Sequence, residues 1–100
     1  MHEPFPNKLY RILTEMEAAG DDDVFSFTAD GDCIEVHQPS VFEQEYIPKF
    51  FRHSKITSFH RQLGLYGFKR INEGPNTGCY THPLFIRGQP HLVDQIKRVR

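Results

Sequence analysis

The sequence predicts an α+β domain of winged helix-turn-helix architecture: a three-helix core, a small antiparallel β-sheet and a short wing. Three observations carry this expectation. Helix signals occur in four places along the chain, two pairs of short β-type runs are each joined by a turn, and the order is helix, hairpin, helix, helix, hairpin, helix. One hundred residues with 38% apolar content and thirteen aromatics supply one core and are too few for two, so residues 1–100 are expected to form a single unit.

The first helix rests on Phe5, Leu9, Ile12, Leu13 and Met16, which share one helical face, with Pro6 where a first turn tolerates it. Gly20 and the acidic Asp21 to Asp23 end it. Val24 to Thr28 and Cys33 to His37 read as a hairpin around a turn containing Asp30-Gly31. Ser40-Val41-Phe42-Glu43 fits a capping box opening a second helix. Pro48 is expected to bend or stop that helix near Ile47, since it has no amide for the ladder. Lys49 to His53 then forms a basic and aromatic connection.

A third helix is expected from an Ser54 cap to about Tyr66. At roughly 100° per residue, Ile56, Phe59, Leu63 and Tyr66 fall on one stripe, and Arg61 falls on the opposite side. Thr57, Ser58 and Gln62 flank Arg61, giving an outward face rich in donors and free of carboxylates. Gly64 weakens this helix by roughly 1 kcal/mol relative to alanine. Gly67 breaks the pattern, Phe68 to Asn72 and Cys79 to His82 read as the two wing strands around the turn Glu73 to Gly78, and Pro90 leads into a last helix through Leu92, Ile96 and Val99.

Charge is strongly segregated beneath a formal net value of −1. Residues 1–48 hold eleven carboxylates and two basic residues, whereas 49–70 hold six basic residues (Lys49, Arg52, Lys55, Arg61, Lys69, Arg70) and no carboxylate. A local positive field of this kind suits a polyanion, because each neutralised phosphate releases condensed counterions. A helix presenting a lone arginine outward fits the major groove of B-DNA, where a guanidinium can donate two hydrogen bonds to guanine O6 and N7.

Other chemistries find less support. No nucleophile with a base, paired carboxylates or phosphate-cradling glycine loop is apparent, so no enzyme, catalytic residue or cofactor is expected. His53 and His60 lie one heptad apart without a third close ligand, so no metal is expected. Cys33 and Cys79 match neither a disulfide framework nor a CxxC spacing and read as reduced strand residues. Phe50, Phe51, Phe59, Tyr66 and Phe68 sit at core spacings rather than as a stacking platform for single strands. Lys97 to Arg100 reads as a solvated helix end or a localisation signal. Neither a signal peptide nor a membrane-length apolar run is present, so a soluble intracellular protein without a membrane partner is expected. A winged helix that binds protein partners instead of DNA is the competing reading.

The segment FRHSKITSFHRQLGLYGFKRI closely resembles the signature of the heat shock factor DNA-binding domain family, and PFPNKLYRIL, FEQEYIPKFF and HPLFIRGQPHLVDQIKR extend the resemblance over nearly the whole chain. The resemblance implies a winged helix-turn-helix that binds double-stranded DNA at inverted nGAAn repeats, regulates transcription in the nucleus under stress, and trimerises through a coiled coil beyond this domain. It implies that Arg61, within Ser58-Phe59-His60-Arg61-Gln62-Leu63, is the guanine-reading arginine. Ser58 and Gln62 match supporting positions, and Arg70 matches a phosphate-contacting one. Lys49, Arg52 and Lys69 join them on charge, and Ser54, Lys55 and Thr57 complete the expected backbone or supporting contacts. The chain departs from the family at Lys55 (often Asn), His60 (usually Val) and Gly64 (usually Asn), and in a shorter wing, the part that in the family meets neighbouring domains. Taken alone, the domain is expected to be monomeric.

Overall fold

The computed structural model describes residues 3–52 and 55–99. Helix α1 (Phe5–Ala18) turns Phe5, Leu9, Ile12, Leu13 and Met16 into the core, as their spacing requires, and has proline in its first turn. Strands β1 (Phe25–Phe27) and β2 (Cys33–Val36) pair antiparallel, Phe25 opposite Val36 and Phe27 opposite Ile34.

Residues 39–50 form one continuous helical stretch in three parts: α2 (Pro39–Val41), a π-helical turn (Phe42–Tyr46) and α3 (Ile47–Phe50). One expectation is corrected here and another narrowed. The capping box does not form: Pro39, whose ring presets the backbone of a first turn, opens the helix, so Ser40 lies inside it and no side chain caps it. Glu43 turns instead to the next helix, its carboxylate accepting the backbone N–H of Ile56 at 2.8 Å. Of the two outcomes expected at Pro48, a bend or a stop near Ile47, the stop does not occur. The π turn, in which the Ile47 N–H reaches back to the Phe42 carbonyl, widens the helix just ahead of Pro48 and lets it run on to Phe50.

Helix α4 (Ile56–Leu65) is the predicted third helix, with Lys55 in the flanking N-cap position in extended conformation. The expected Ser54 cap falls outside the described residues. The C-terminus closes in a Schellman arrangement: Gly67 N–H donates to the Gly64 carbonyl at 3.1 Å and Phe68 N–H to the Leu63 carbonyl at 3.0 Å, with Gly67 at φ +84°.

The wing strands are shorter than expected, β3 (Lys69–Arg70) and β4 (Tyr80–Thr81), although Ile71 and Cys79 add a further backbone bond at 2.8 Å. Strand β4 also pairs with β2, Cys33 opposite Thr81, so hairpin and wing merge into one antiparallel sheet of order β1-β2-β4-β3.

The last helix is the larger correction. Helix α5 (Pro90–Val93) covers only four residues, and Gln95 and Ile96 continue it as bonds to the third residue back. Val93 and Ile96 are buried, whereas Val99, expected on the same face, is 64% exposed. Beyond Ile96 the chain extends and runs back to α4, where Val99 N–H donates to the Leu65 carbonyl at 2.8 Å. That carbonyl lies in the last turn of α4 and has no acceptor role within the helix, so pairing it competes with winding another turn of α5.

Phe59, fully buried, is the centre of the core. Its ring lies 6.2 Å from that of Phe5, 5.8 Å from Phe25, 5.1 Å from Phe42 and 5.9 Å from Phe51, mostly edge to face. Through one side chain α4 is therefore fixed to α1, β1, the π turn and the segment after α3.

The glycines at the two ends of this last turn are predicted to respond oppositely to alanine. Gly64 has a helical backbone and open space where a Cβ would stand, so Gly64→Ala should raise stability by about 1 kcal/mol. Gly67→Ala should lower it by about 1–2 kcal/mol, because its φ is positive. Urea unfolding of both variants checks the opposite signs.

Candidate nucleic-acid interface

The inward stripe of α4 is Phe59 and Leu63, both with no exposed surface, with Ile56 and Tyr66 half-buried beside them. Helical geometry then turns Arg61 outward, and it is exposed together with Thr57 and Gly64. Ser58 and Gln62 are half-buried on one flank, and His60 lies on the other.

The cations divide into two populations. Arg11 is held between Glu3 at 2.9 Å and Glu15 at 2.8 Å, which holds Glu3 below the usual carboxylate range, and Arg87 is paired with Glu17. Lys8 donates to the Phe50 carbonyl at 3.2 Å and stands over the Phe51 ring. Lys49 lies over the Phe50 ring and lines a shallow depression with Glu15 and Asp21. By contrast Arg52, Lys55, Arg61, Lys69, Arg70 and Arg98 are exposed and form no ion pair among the described residues. The paired cations belong to the acidic α1 side, and the unpaired ones gather around α4 and β3.

These unpaired groups reach α4 from both flanks. On one, Gln62 and Tyr66 share a groove with Lys8, Phe51, Arg52 and Arg98. On the other, Ile56 and His60 share a cavity with Arg70 and Tyr80. The structure thus brings Arg52 and Gln62 together, sets Arg70 across the helix from them, and places Lys49 apart. From sequence Arg98 belongs to the Lys97 to Arg100 cluster, read as a solvated helix end or a localisation signal, and not to the expected DNA contacts. It arrives because α5 ends early, and Leu92, Ile96 and Val99 fit a longer helix equally well on spacing alone.

His60 stacks on Tyr80, ring centroids 5.7 Å apart, and its pKa is lowered, first by desolvation and then by the charge of Arg70. Desolvation also lowers His82, which packs against Phe68. Burial pushes both thiols up, Cys79 to about 11 with Glu35 adding to the effect, which disfavours the nucleophilic thiolate at neutral pH. No group of three His, Cys, Asp or Glu side chains among the described residues could hold a metal ion.

Comparison with known proteins supplies the family context. The family model described as HSF-type DNA-binding matches residues 5–99. The chain is 32% identical to a heat shock factor protein of Xenopus laevis over 93% of its own length and 36% identical to heat stress transcription factor C-2a of Oryza sativa subsp. japonica over 95%. It spans only 23% and 30% of those two proteins. Among solved structures, Skn7 of Chaetomium thermophilum with SSRE DNA superposes with a TM-score of 0.84 at 29% identity, covering 96% of this chain and 99% of that one. A heat shock transcription factor/DNA complex superposes with a TM-score of 0.65 at 28% identity, covering 82% and 98%.

The two desolvated histidines set an expected pH dependence. Their folded pKa lies below the ordinary 6.5, so on acidification the unfolded chain takes up protons first. Stability should therefore be unaffected well above 6.5 and fall as the pH drops below it, until the folded state protonates as well. Replacing His60 and His82 by Gln should flatten urea midpoints measured between pH 7.5 and 5.5.

Proposed function

Because the chain belongs to the HSF-type DNA-binding family, we propose that it reads duplex DNA by placing α4 in the major groove, with Arg61 donating to the guanine of a GAA-type half-site. The observation that carries this reading is the exposed, unpaired Arg61 standing opposite the buried stripe of Phe59 and Leu63. A guanidinium already bound to a carboxylate would have to break that pair before reaching a base. Arg61 needs no such exchange.

The flanking cations take the phosphates. Arg70 and Lys69 on β3 meet the backbone on one side of the helix, and Arg52 and Arg98 meet it on the other, beside Gln62. Such contacts fix register without reading sequence, whereas Arg61 discriminates. Lys55 and Thr57, both exposed near the start of α4, and half-buried Ser58 support the docked helix. Lys49, which shares its depression with Glu15 and Asp21, stands outside this set. The acidic α1 side disfavours docking in the reverse orientation. Membership of this family supports a role in transcription regulation in the nucleus, and DNA reading requires neither catalysis nor a cofactor.

Two measurements test the division of labour. Arg61→Ala should cost roughly 1–3 kcal/mol on a GAA-containing duplex and flatten the preference at one base pair; equal binding by variant and wild type would reject the assignment. Arg70→Ala should weaken binding to all sequences alike and reduce the magnitude of the slope of log K against log salt by about 0.9. An unchanged slope would place Arg70 away from the backbone.

A further inference from the structure

Between α4 and the sheet lies a cavity of about 240 Å³ whose apolar interior the DNA-reading role does not use. Its depth is apolar: Phe25 and Ile34 from the first hairpin and Phe59 and Leu63 from α4 are almost wholly buried. Its rim is polar, formed by Arg70, His60 and Tyr80, and no carboxylate lines it. The Arg70 guanidinium has no ion-pair partner among the described residues, so the one full charge at the mouth is positive and unmatched.

Size and charge select the occupant. An engineered apolar cavity of about 150 Å³ accepts benzene, while drug-sized ligands occupy about 300–1,000 Å³. The volume here therefore suits one ring with a small substituent. An apolar interior under an unpaired guanidinium suits a substituent that is an anion, since arginine matches a planar carboxylate with two parallel hydrogen bonds.

We propose that this cavity is a binding site for a monocyclic aromatic carboxylate, its ring against Ile34, Ile56 and Phe59 and its carboxylate on Arg70, and that occupancy competes with DNA phosphate for that guanidinium. The competition, though not the binding, rests on the duplex reading above. A bound carboxylate would leave Arg61 untouched and remove one phosphate contact, so it would weaken DNA binding without changing the preferred sequence.

Benzoate, with benzamide as its neutral counterpart, tests the site on the protein without DNA. In amide NMR spectra benzoate should shift Val36, Ile56, Gly78 and Tyr80, which line the cavity, and bind about tenfold more tightly than benzamide. Arg70→Gln, a change at an exposed position, should abolish that difference and leave benzamide binding in place, while Lys49→Gln, which removes a distant positive charge, should preserve it. Shifts scattered outside the cavity, equal binding of benzoate and benzamide, or equal losses in the two variants would overturn the site. Saturating benzoate should then weaken the wild-type domain on a GAA duplex about as much as Arg70→Gln does, and have no further effect on that variant. If benzoate binds but DNA affinity is unmoved, the competition is rejected and the site stands; if Arg61→Ala leaves DNA binding intact, the duplex reading fails and the benzoate result is unaffected.

Discussion

The burial of Phe59 is the constraint on which the rest of the molecule depends. One ring in contact with Phe5, Phe25, Phe42 and Phe51 ties α4 to α1, β1, the π turn and the segment after α3. Each such aromatic pair contributes about 0.5–1.5 kcal/mol beyond the area it buries. More important than the sum is its geometry. A helix pinned at Phe59 and again at Leu63 cannot rotate about its axis without pulling a large side chain out of the core. The direction of Arg61, two residues along, is therefore set by packing rather than by any contact of its own. That is what a base-reading side chain needs, because it must arrive already aimed and still unpaired.

Electrostatics follow from the same scaffold. The chain is nearly neutral in total, and a neutral total says little about its surface. The fold keeps Arg11 and Arg87 with carboxylates on the α1 side and leaves the cations around α4 without them. Exposed ion pairs of this kind contribute little to stability, typically under about 1 kcal/mol. Their consequence is instead spatial: they cancel positive charge on the α1 side and leave it unmatched around α4. Arg70 illustrates the tension this creates. Its unmatched charge adds to the desolvation that lowers the pKa of His60 and sits over an apolar cavity, so the feature that suits it to a phosphate also makes the cavity mouth attractive to another anion.

Much of this was legible in the sequence because it depends on periodicity. The α1 face, the first hairpin, the inward stripe of α4 and the outward position of Arg61 all follow from residues a few places apart, and the structure agrees with each. The merging of hairpin and wing into one sheet was not legible, since pairing of β2 with β4 joins segments far apart in the chain. The helix ends were the other failure. Ser40 to Glu43 has the residues of a capping box, yet sequence alone does not say which amide a glutamate will satisfy when a second helix start lies within reach. Likewise Val99 had the right spacing to extend α5, and nothing local signalled that a carbonyl of α4 would claim its amide.

Those two misreadings have one cause, and it bears on how the interface is held. Both termini of α4 are completed by distant parts of the chain: Glu43 accepts the Ile56 amide at the start, and the Val99 amide donates to Leu65 at the end. A carboxylate at the N-terminus and cations near the C-terminus also match the helix dipole, so Glu43 at one end and Lys97 and Arg98 leading to the other are placed with the correct sign. A ten-residue helix containing a glycine is marginal by itself. Its ends are instead secured by segments that precede and follow it, and the segment that closes the C-terminal end carries Arg98 into the groove beside Gln62. Stability of α4 and positive charge on its flank thus come from the same stretch of chain, which is why neither could be assigned from the helix sequence alone.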